Sequence, residues 1–210
     1  MEDVLDTYAL PLNPDIPVVC FDESPFQLLA HARAPQPCAP GSPARQDFEY
    51  VRLGVVNAMM ICQPAAGLRK CLVHEFKTKV DFAHCLDHID TLFPEARKIK
   101  LVMDNLKTHT KGALYKTFDP EKASRLAAKF EFHFTPKHGS WLNIAELEFA
   151  VLGRSVFKKR IQTAEQLKVE LDARCASRNA EGKPVNWIFT STKARVKMKS
   201  SYEEIVGESD

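Results

Sequence analysis

Three acidic positions in distinctive settings carry most of the chemical information in this sequence. They are Asp22 in Val18-Val19-Cys20-Phe21-Asp22-Glu23, Asp104 in Leu101-Val102-Met103-Asp104-Asn105, and Glu146 in Trp141-Leu142-Asn143-Ile144-Ala145-Glu146. In the first two, an apolar run that reads as a buried strand stops at a carboxylate, which is how a sheet delivers an acid to its edge. Two such strand ends joined by a Glu on a following helix make a cluster of hard oxygen ligands suited to Mg²⁺ or Mn²⁺. Two ions held by shared carboxylates stabilise both the entering and the leaving oxygen of an in-line attack on phosphorus, so the pattern points to phosphodiester cleavage or transfer. In that scheme Asp22 bridges both ions, and Asp104 and Glu146 each complete one site.

Helix geometry selects the third acid. At 100° per residue, Asn143, Glu146 and Ala150 share a face, while Glu148 lies about 200° round from Glu146, so only one of the two can face the site. Glu146 is taken as the ligand and Glu148 is placed on the other face. Glu23 follows Asp22 directly and, on an extended strand, points to the opposite side, away from the metals.

The elements that must position these acids follow from the pattern. Residues 1–15, with Pro11 and Pro14, read as an irregular lead-in, and the first strand spans 16–22. Pro35, Pro37, Pro40, Gly41 and Pro43 make residues 34–43 a loop, placed either to touch a substrate or simply to connect. Residues 48–61 and 72–76 read as antiparallel strands joined around Pro64 to Gly67, which completes a three-stranded meander. A helix over 80–93 stops at Pro94, and a short strand over 99–103 delivers Asp104. Helices over 111–117 and 120–128 follow, the second capped by Asp119 with Pro120 at its first position. A fifth strand over 130–134 precedes helices at about 143–158 and 163–180. A meander followed by β-α-β units is the order of a ribonuclease H-like α/β fold, a mixed five-stranded sheet flanked by helices. Residues 16–182 form this domain, and residues 183–210 are read as a basic C-terminal extension.

At 210 residues, 45% hydrophobic and 27% charged, the chain has the length and composition of one globular domain, and disorder is not expected. No apolar run is long enough to span a bilayer and the start is acidic rather than basic, so the expected location is cytoplasmic. The six cysteines form no C-x-x-C pair and read as reduced thiols. Net charge is only +2, but it is unevenly placed. Residues 1–50 hold 2 basic and 8 acidic side chains, whereas residues 150–199 hold 12 basic and 4 acidic. A basic segment on an otherwise neutral protein suits a polyanionic partner, though a solvated helix face has the same composition.

Several residues are candidates for contact with such a partner. Asn105 and His109 could orient a scissile phosphate or an attacking water, or else cap the next helix. Lys137 and His138 lie in a loop before the Glu146 helix, where a backbone phosphate could be met, or where they are simply exposed. Lys158, Lys159, Arg160, Arg195, Lys197 and Lys199 are candidates for phosphate neutralisation as a group. Trp141 could stack on a splayed base but reads better as a core anchor. His84 and His88 have i, i+4 spacing without a third ligand and read as a surface face.

Taken together, Cys20-Phe-Asp-Glu23, Val102-Met-Asp-Asn-Leu-Lys-Thr-His109 and Phe132-His-Phe-Thr-Pro-Lys-His-Gly-Ser-Trp-Leu-Asn-Ile-Ala-Glu146 resemble the DDE catalytic domain of bacterial insertion-sequence transposases related to the mariner superfamily. The resemblance runs from about residue 16 to residue 202 and includes Trp187 to Thr190 and Ala194 to Lys199. It implies a ribonuclease H-like fold, Mg²⁺-dependent cleavage at transposon ends, and joining of the freed 3′ ends to target DNA. By motif match the family's acids fall on Asp22, Asp104 and Glu146. The resemblance also implies a homodimer assembled on DNA, because two ends must be brought together. Such transposases usually carry helix-turn-helix modules before the catalytic domain, and only about 15 residues precede the first strand here. The chain is thus read as a second reading frame, a remnant, or a catalytic domain served by a separate N-terminal DNA-binding region. Two alternatives stay open beside strand transfer: a metal-dependent nuclease of the same fold, and an inactive DNA-binding remnant.

Overall fold

The computed structural model describes residues 1–199. Five strands form one mixed sheet in the order β3-β2-β1-β4-β5. β1 (Val18–His31), β2 (Tyr50–Gln63) and β3 (Leu68–His74) make the antiparallel meander, and β4 (Ile99–Met103) and β5 (Phe130–Phe134) add in parallel beside β1. The turn from β2 to β3 passes through Gly67 at φ 68°, where a Cβ would stand 2.7 Å from the Lys183 carbonyl oxygen. Only glycine combines that backbone with that contact.

Strand alternation sorts the core into two layers. Val19, Phe21, Met59, Ile61, Leu101, Met103 and Phe130 face one side, where they meet α2 (Lys79–Leu92), α3 (Gly112–Thr117) and α4 (Pro120–Lys129). Cys20, Ala58, Met60, Cys62 and Val102 face the other, under α5 (Ile144–Ser155) and α6 (Ala164–Ala180). α2 starts at a capping box between Thr78 and Asp81, a device worth about 1 kcal/mol.

Three expectations need correction. β1 does not end at Asp22 but continues to His31, because β2 pairs with it along its whole further length. What ends near Asp22 is the pairing with β4, which stops at Cys20 opposite Val102. Asp22 therefore stands where β1 loses its parallel neighbour, so a neighbour's end exposes the acid rather than its own strand's end. Beyond Pro25, opposite which the pairing of β2 with β3 also ends at Asn57, β1 and β2 run on as a two-stranded ribbon carrying residues 32–49.

Residues 1–15 are not wholly irregular, since Glu2–Tyr8 forms helix α1 with Val4 and Leu5 in the core. Val4, Leu5 and Tyr8 share a helical face, and the prolines act only after it. Nor do residues 183–199 trail from the domain: Val185, Trp187 and Phe189 pack on the core and α7 (Ser191–Lys197) buries Ala194. Asp6 of α1 accepts a short hydrogen bond from Ser191, and Glu2 is bidentate to Arg195 of α7 at 2.6 and 2.7 Å. The two helices are thus joined across 185 and 193 positions of sequence, a long-range pairing that local pattern cannot reveal. The remaining part of the expected extension, residues 200–210, and the end of the resemblance at residue 202 lie outside the described residues. Among the described residues no helix is long and apolar enough to cross a membrane. All six cysteines are free thiols, five of them buried.

Candidate functional site

Asp22 projects from β1 on the α5 side, its Oδ1 accepting a hydrogen bond from the Glu23 backbone N–H at 2.8 Å. Burial drives its pKa up to about 7, and the Asp104, Glu23 and Glu146 carboxylates push in the same direction against that hydrogen bond. Three acids from three separate elements thus bear on Asp22 electrostatically.

Asp104 follows the last residue of β4 and is held from behind. The His109 side chain is fully buried, with Nδ1 3.0 Å from the Asp104 carbonyl oxygen and 2.8 Å from Asp104 Oδ1. The contact with Oδ1 is a charge contact, and the directed hydrogen bond goes to the carbonyl. On the ring's other side Nε2 lies 2.8 Å from Glu23 Oε1. Phe82 and Phe21 pack on the ring at 4.6 and 5.6 Å between centroids. Burial alone would lower the His109 pKa, but Asp104 and Glu23 outweigh it and raise it to about 10. The close contact with the His109 ring in turn leads the effects that hold the Asp104 carboxyl below its usual range.

Glu23, Asp104 and His109 lie close enough together to suggest a metal group of their own, with one ligand atom from each within 4.8 Å of the others. The ring argues against it. Each nitrogen faces a different carboxylate, so one ion cannot sit between the imidazole and both acids. The arrangement is a carboxylate–imidazolium–carboxylate clamp.

Glu146 lies in the first turn of α5 and is exposed. Ser140 Oγ approaches its Oε1 at 3.4 Å. The helix start is anchored by Asn143, whose Oδ1 accepts from the Ala145 N–H at 3.2 Å and whose Nδ2 donates to the Phe21 carbonyl at 2.8 Å. Tyr8 adds a second anchor from α1, donating to the Leu142 carbonyl at 2.9 Å and accepting from the Ile144 N–H at 3.3 Å. Glu148 faces the opposite way, buried between Arg69 Nε at 2.9 Å and Arg178 Nη2 at 3.1 Å.

A cleft of 430 Å³ opens beside Asp104, walled by Asn105, Leu106, Thr135, Lys137, His138 and Ser140. His138 is the only non-glycine residue at positive φ among the described residues, at 62°, and a Cβ on Gly139 would strike Pro136 Cγ at 2.6 Å. The tight turn this imposes presents Lys137 and His138 outward at the cleft wall.

The other sequence candidates separate cleanly. Asn105 is exposed at the cleft, whereas His109 is buried and cannot reach a phosphate, because Glu23 and Asp104 occupy both ring nitrogens. Arg160 is committed to the ribbon, donating to the Phe48 and Glu49 carbonyls at 3.1 and 3.0 Å and to His31 Nδ1 at 3.1 Å. Lys159 pairs with Glu170, and Arg195 pairs with Glu2. Lys158 and Lys197 are exposed, distant in sequence from the cleft walls. Trp141 is neither a core anchor nor free, being 45% exposed with one face toward Phe189 at 5.6 Å.

Sequence reasoning overlooked Glu23 as the partner of His109 and Asn143 as a link between helix and strand. Asn143 did carry a signal, since an Asn directly before an apolar helix start is an N-cap. The Glu23 partnership carried none, because it joins residues 86 positions apart.

A model of the DDE superfamily endonuclease family matches residues 17–168, close to three-quarters of the chain. The chain belongs to this family. Two solved structures share the fold of this DDE domain. The Mos1 mariner paired-end complex with Mn is 18% identical with a TM-score of 0.55, over 86% of this chain and 57% of that one. The Mos1 paired-end complex with Mg is 19% identical with a TM-score of 0.52, over 85% and 53%. The DDE domain thus spans somewhat more than half the length of the Mos1 chains it matches. The mixed five-stranded sheet flanked by helices is the ribonuclease H-like fold expected from element order. Among curated proteins none matches the chain by sequence.

Proposed function

We propose that this chain is the catalytic domain of a DNA transposase that cuts transposon ends and joins the freed 3′ ends to target DNA. The observation that carries the reading is the convergence of Asp22, Asp104 and Glu146. Asp22 lies on β1, Asp104 directly follows the adjacent parallel strand β4, and Glu146 lies in the first turn of a helix fastened to β1; beyond the effect of burial, the charges of Asp104 and Glu146 both push the Asp22 carboxyl upward. Family membership supports dependence on a divalent metal, and Mg²⁺ or Mn²⁺ bound as a pair suits the donor set. Like charges crowded around a half-buried carboxylate are what a hard cation relieves, so the residues fit such ions.

Bound ions would supply charge stabilisation for the attacking and leaving oxygens. The chain's own residues do the rest. Asp22, Asp104 and Glu146 would hold the ions, and His109 with Glu23 fixes Asp104 from behind. Asn143 and Tyr8 fix the helix that bears Glu146. Asn105, Lys137 and His138, exposed at the cleft, contact the DNA backbone. Lys158, Lys159, Arg195 and Lys197 have a weaker case, and Arg160 is better read as a brace of the ribbon.

The partner in this reading is DNA, both ends and target, with two copies of the chain assembled on it and an N-terminal DNA-binding region supplied in addition. The test is product analysis with Mg²⁺ and end-labelled DNA carrying the ends that flank the gene. Label covalently joined to an unlabelled target plasmid is the expected result. Cut but never joined ends would favour a nuclease of the same fold.

A further inference from the structure

We propose that Glu23 and His109 set the ion preference of the site by withholding one carboxylate oxygen of Asp104, so that Asp104 offers a metal Oδ2 alone. The proposal rests on the reading of Asp104 as a metal ligand. The two residues touch no ion in this scheme and act as positioning residues.

The geometry is one-sided. Asp104 Oδ1 is buried and lies 2.8 Å from His109 Nδ1, while the Asp104 side chain as a whole is 39% exposed. The accessible part of the carboxylate is thus the Oδ2 side, open to the cleft. An ion could reach Oδ1 only if His109 moved, and the ring is fixed on every side. Nδ1 is also bonded to the Asp104 carbonyl at 3.0 Å, Nε2 meets Glu23 at 2.8 Å, and Phe82 and Phe21 cover the ring. The Glu23 side chain is itself 5% exposed, so it has little room to release the imidazole.

Cation chemistry turns this arrangement into selectivity. Ca²⁺ accepts six to eight oxygens at about 2.3–2.6 Å and readily takes both oxygens of one carboxylate. Mg²⁺ requires near-octahedral geometry at about 2.0–2.1 Å, which single oxygens satisfy and a bidentate carboxylate distorts. A carboxylate locked into one-oxygen presentation favours the smaller ion. Released from His109, Asp104 could turn and serve either.

The test reads metal binding directly, without DNA. Free Mn²⁺ is followed by its electron paramagnetic resonance signal as the chain takes it up, and Mg²⁺ and Ca²⁺ compete. The Glu23→Gln/His109→Leu double variant removes the clamp while keeping its volume and leaving no buried charge. Its Ca²⁺-to-Mg²⁺ affinity ratio is expected to rise about tenfold, the size of effect usual for a group that orients a metal ligand. His109→Asn, which keeps a donor facing Asp104, is expected to return the ratio most of the way to wild type. A purely structural loss would lower both affinities together and leave the ratio alone. A folded double variant with an unchanged ratio overturns the proposal. If that variant does not fold, Glu23→Gln alone should shift the ratio in the same direction, and no shift in it likewise overturns the proposal. Asp104→Ala separates the two levels: Mn²⁺ uptake equal to wild type would overturn the ligand assignment and the clamp with it.

Discussion

The side-chain amide of Asn143 donates to the backbone oxygen of Phe21 at 2.8 Å, so the helix bearing Glu146 is fastened to the strand one residue before Asp22. Asn143 is completely buried and uses its other side-chain atom to cap the same helix. One residue thus ties the spacing of two acids to the main chain.

Removing it should show two separable losses. Asn143→Ala gives up the cap and leaves the Phe21 carbonyl without its buried donor, an expected cost of about 2–3 kcal/mol. Asn143→Ser keeps a capping oxygen but falls short of Phe21, and should cost about 1 kcal/mol. Urea unfolding of the two variants measures the difference. Equal stabilities of the two variants would mean that the cap contributes nothing, and an Asn143→Ser variant as stable as wild type would mean the same of the bond to Phe21.

Glu146 and Glu148 should behave as opposites. Glu148→Ala strands Arg69, whose side chain is 4% exposed, and should destabilise by about 3–5 kcal/mol. Glu146→Ala removes an exposed acid and should change stability by no more than about 0.5 kcal/mol while eliminating cleavage. Thermal unfolding beside a nicking assay distinguishes them, and a stable Glu148→Ala would contradict the helix orientation.

That orientation was legible in the sequence because a helix face is a local property, and so were the meander, β4, β5 and the cap at Asp119. What local pattern cannot reveal is a partner distant in sequence. α1 looked irregular because its stabilising contacts come from His133, Ser191 and Arg195. His109 looked available to DNA because nothing near it in sequence predicts Glu23. The end of β1 was misplaced for a related reason: an acid in mid-strand looks like a terminus when its paired strand, 28 residues or more away, cannot be seen.

Stability should fall in alkali through the clamp. His109 has a folded-state pKa of about 10, above its ordinary 6.5. Its contribution is complete below about pH 6.5 and is lost as the pH rises through 10. Urea midpoints of wild type should decline across that window, and those of Glu23→Gln/His109→Leu should not. Parallel curves would contradict the charged state assigned to the clamp.

Asp22 acts in a lower window. Its folded-state pKa of about 7 exceeds the ordinary 3.8, so the stability it contributes is present below pH 4 and is lost as the pH rises through 7. Above pH 7, without divalent ions, Asp22→Asn should exceed wild type by about 2 kcal/mol after allowance for partial exposure. Millimolar Mg²⁺ should stabilise wild type and leave Asp22→Asn unmoved. A wild type indifferent to Mg²⁺ in calorimetry at pH 8 would contradict the account of the cluster.

The central claim is that Asp22, Asp104 and Glu146 act as one metal-dependent site on DNA. It is tested most directly by nicking of labelled DNA carrying the flanking ends, with Mg²⁺ or Mn²⁺, by wild type, Asp22→Asn, Asp104→Asn and Glu146→Gln, each shown to be folded. The account predicts cleavage by wild type that disappears with chelator and with every one of the three substitutions. Cleavage at the wild-type rate by any single variant would contradict it.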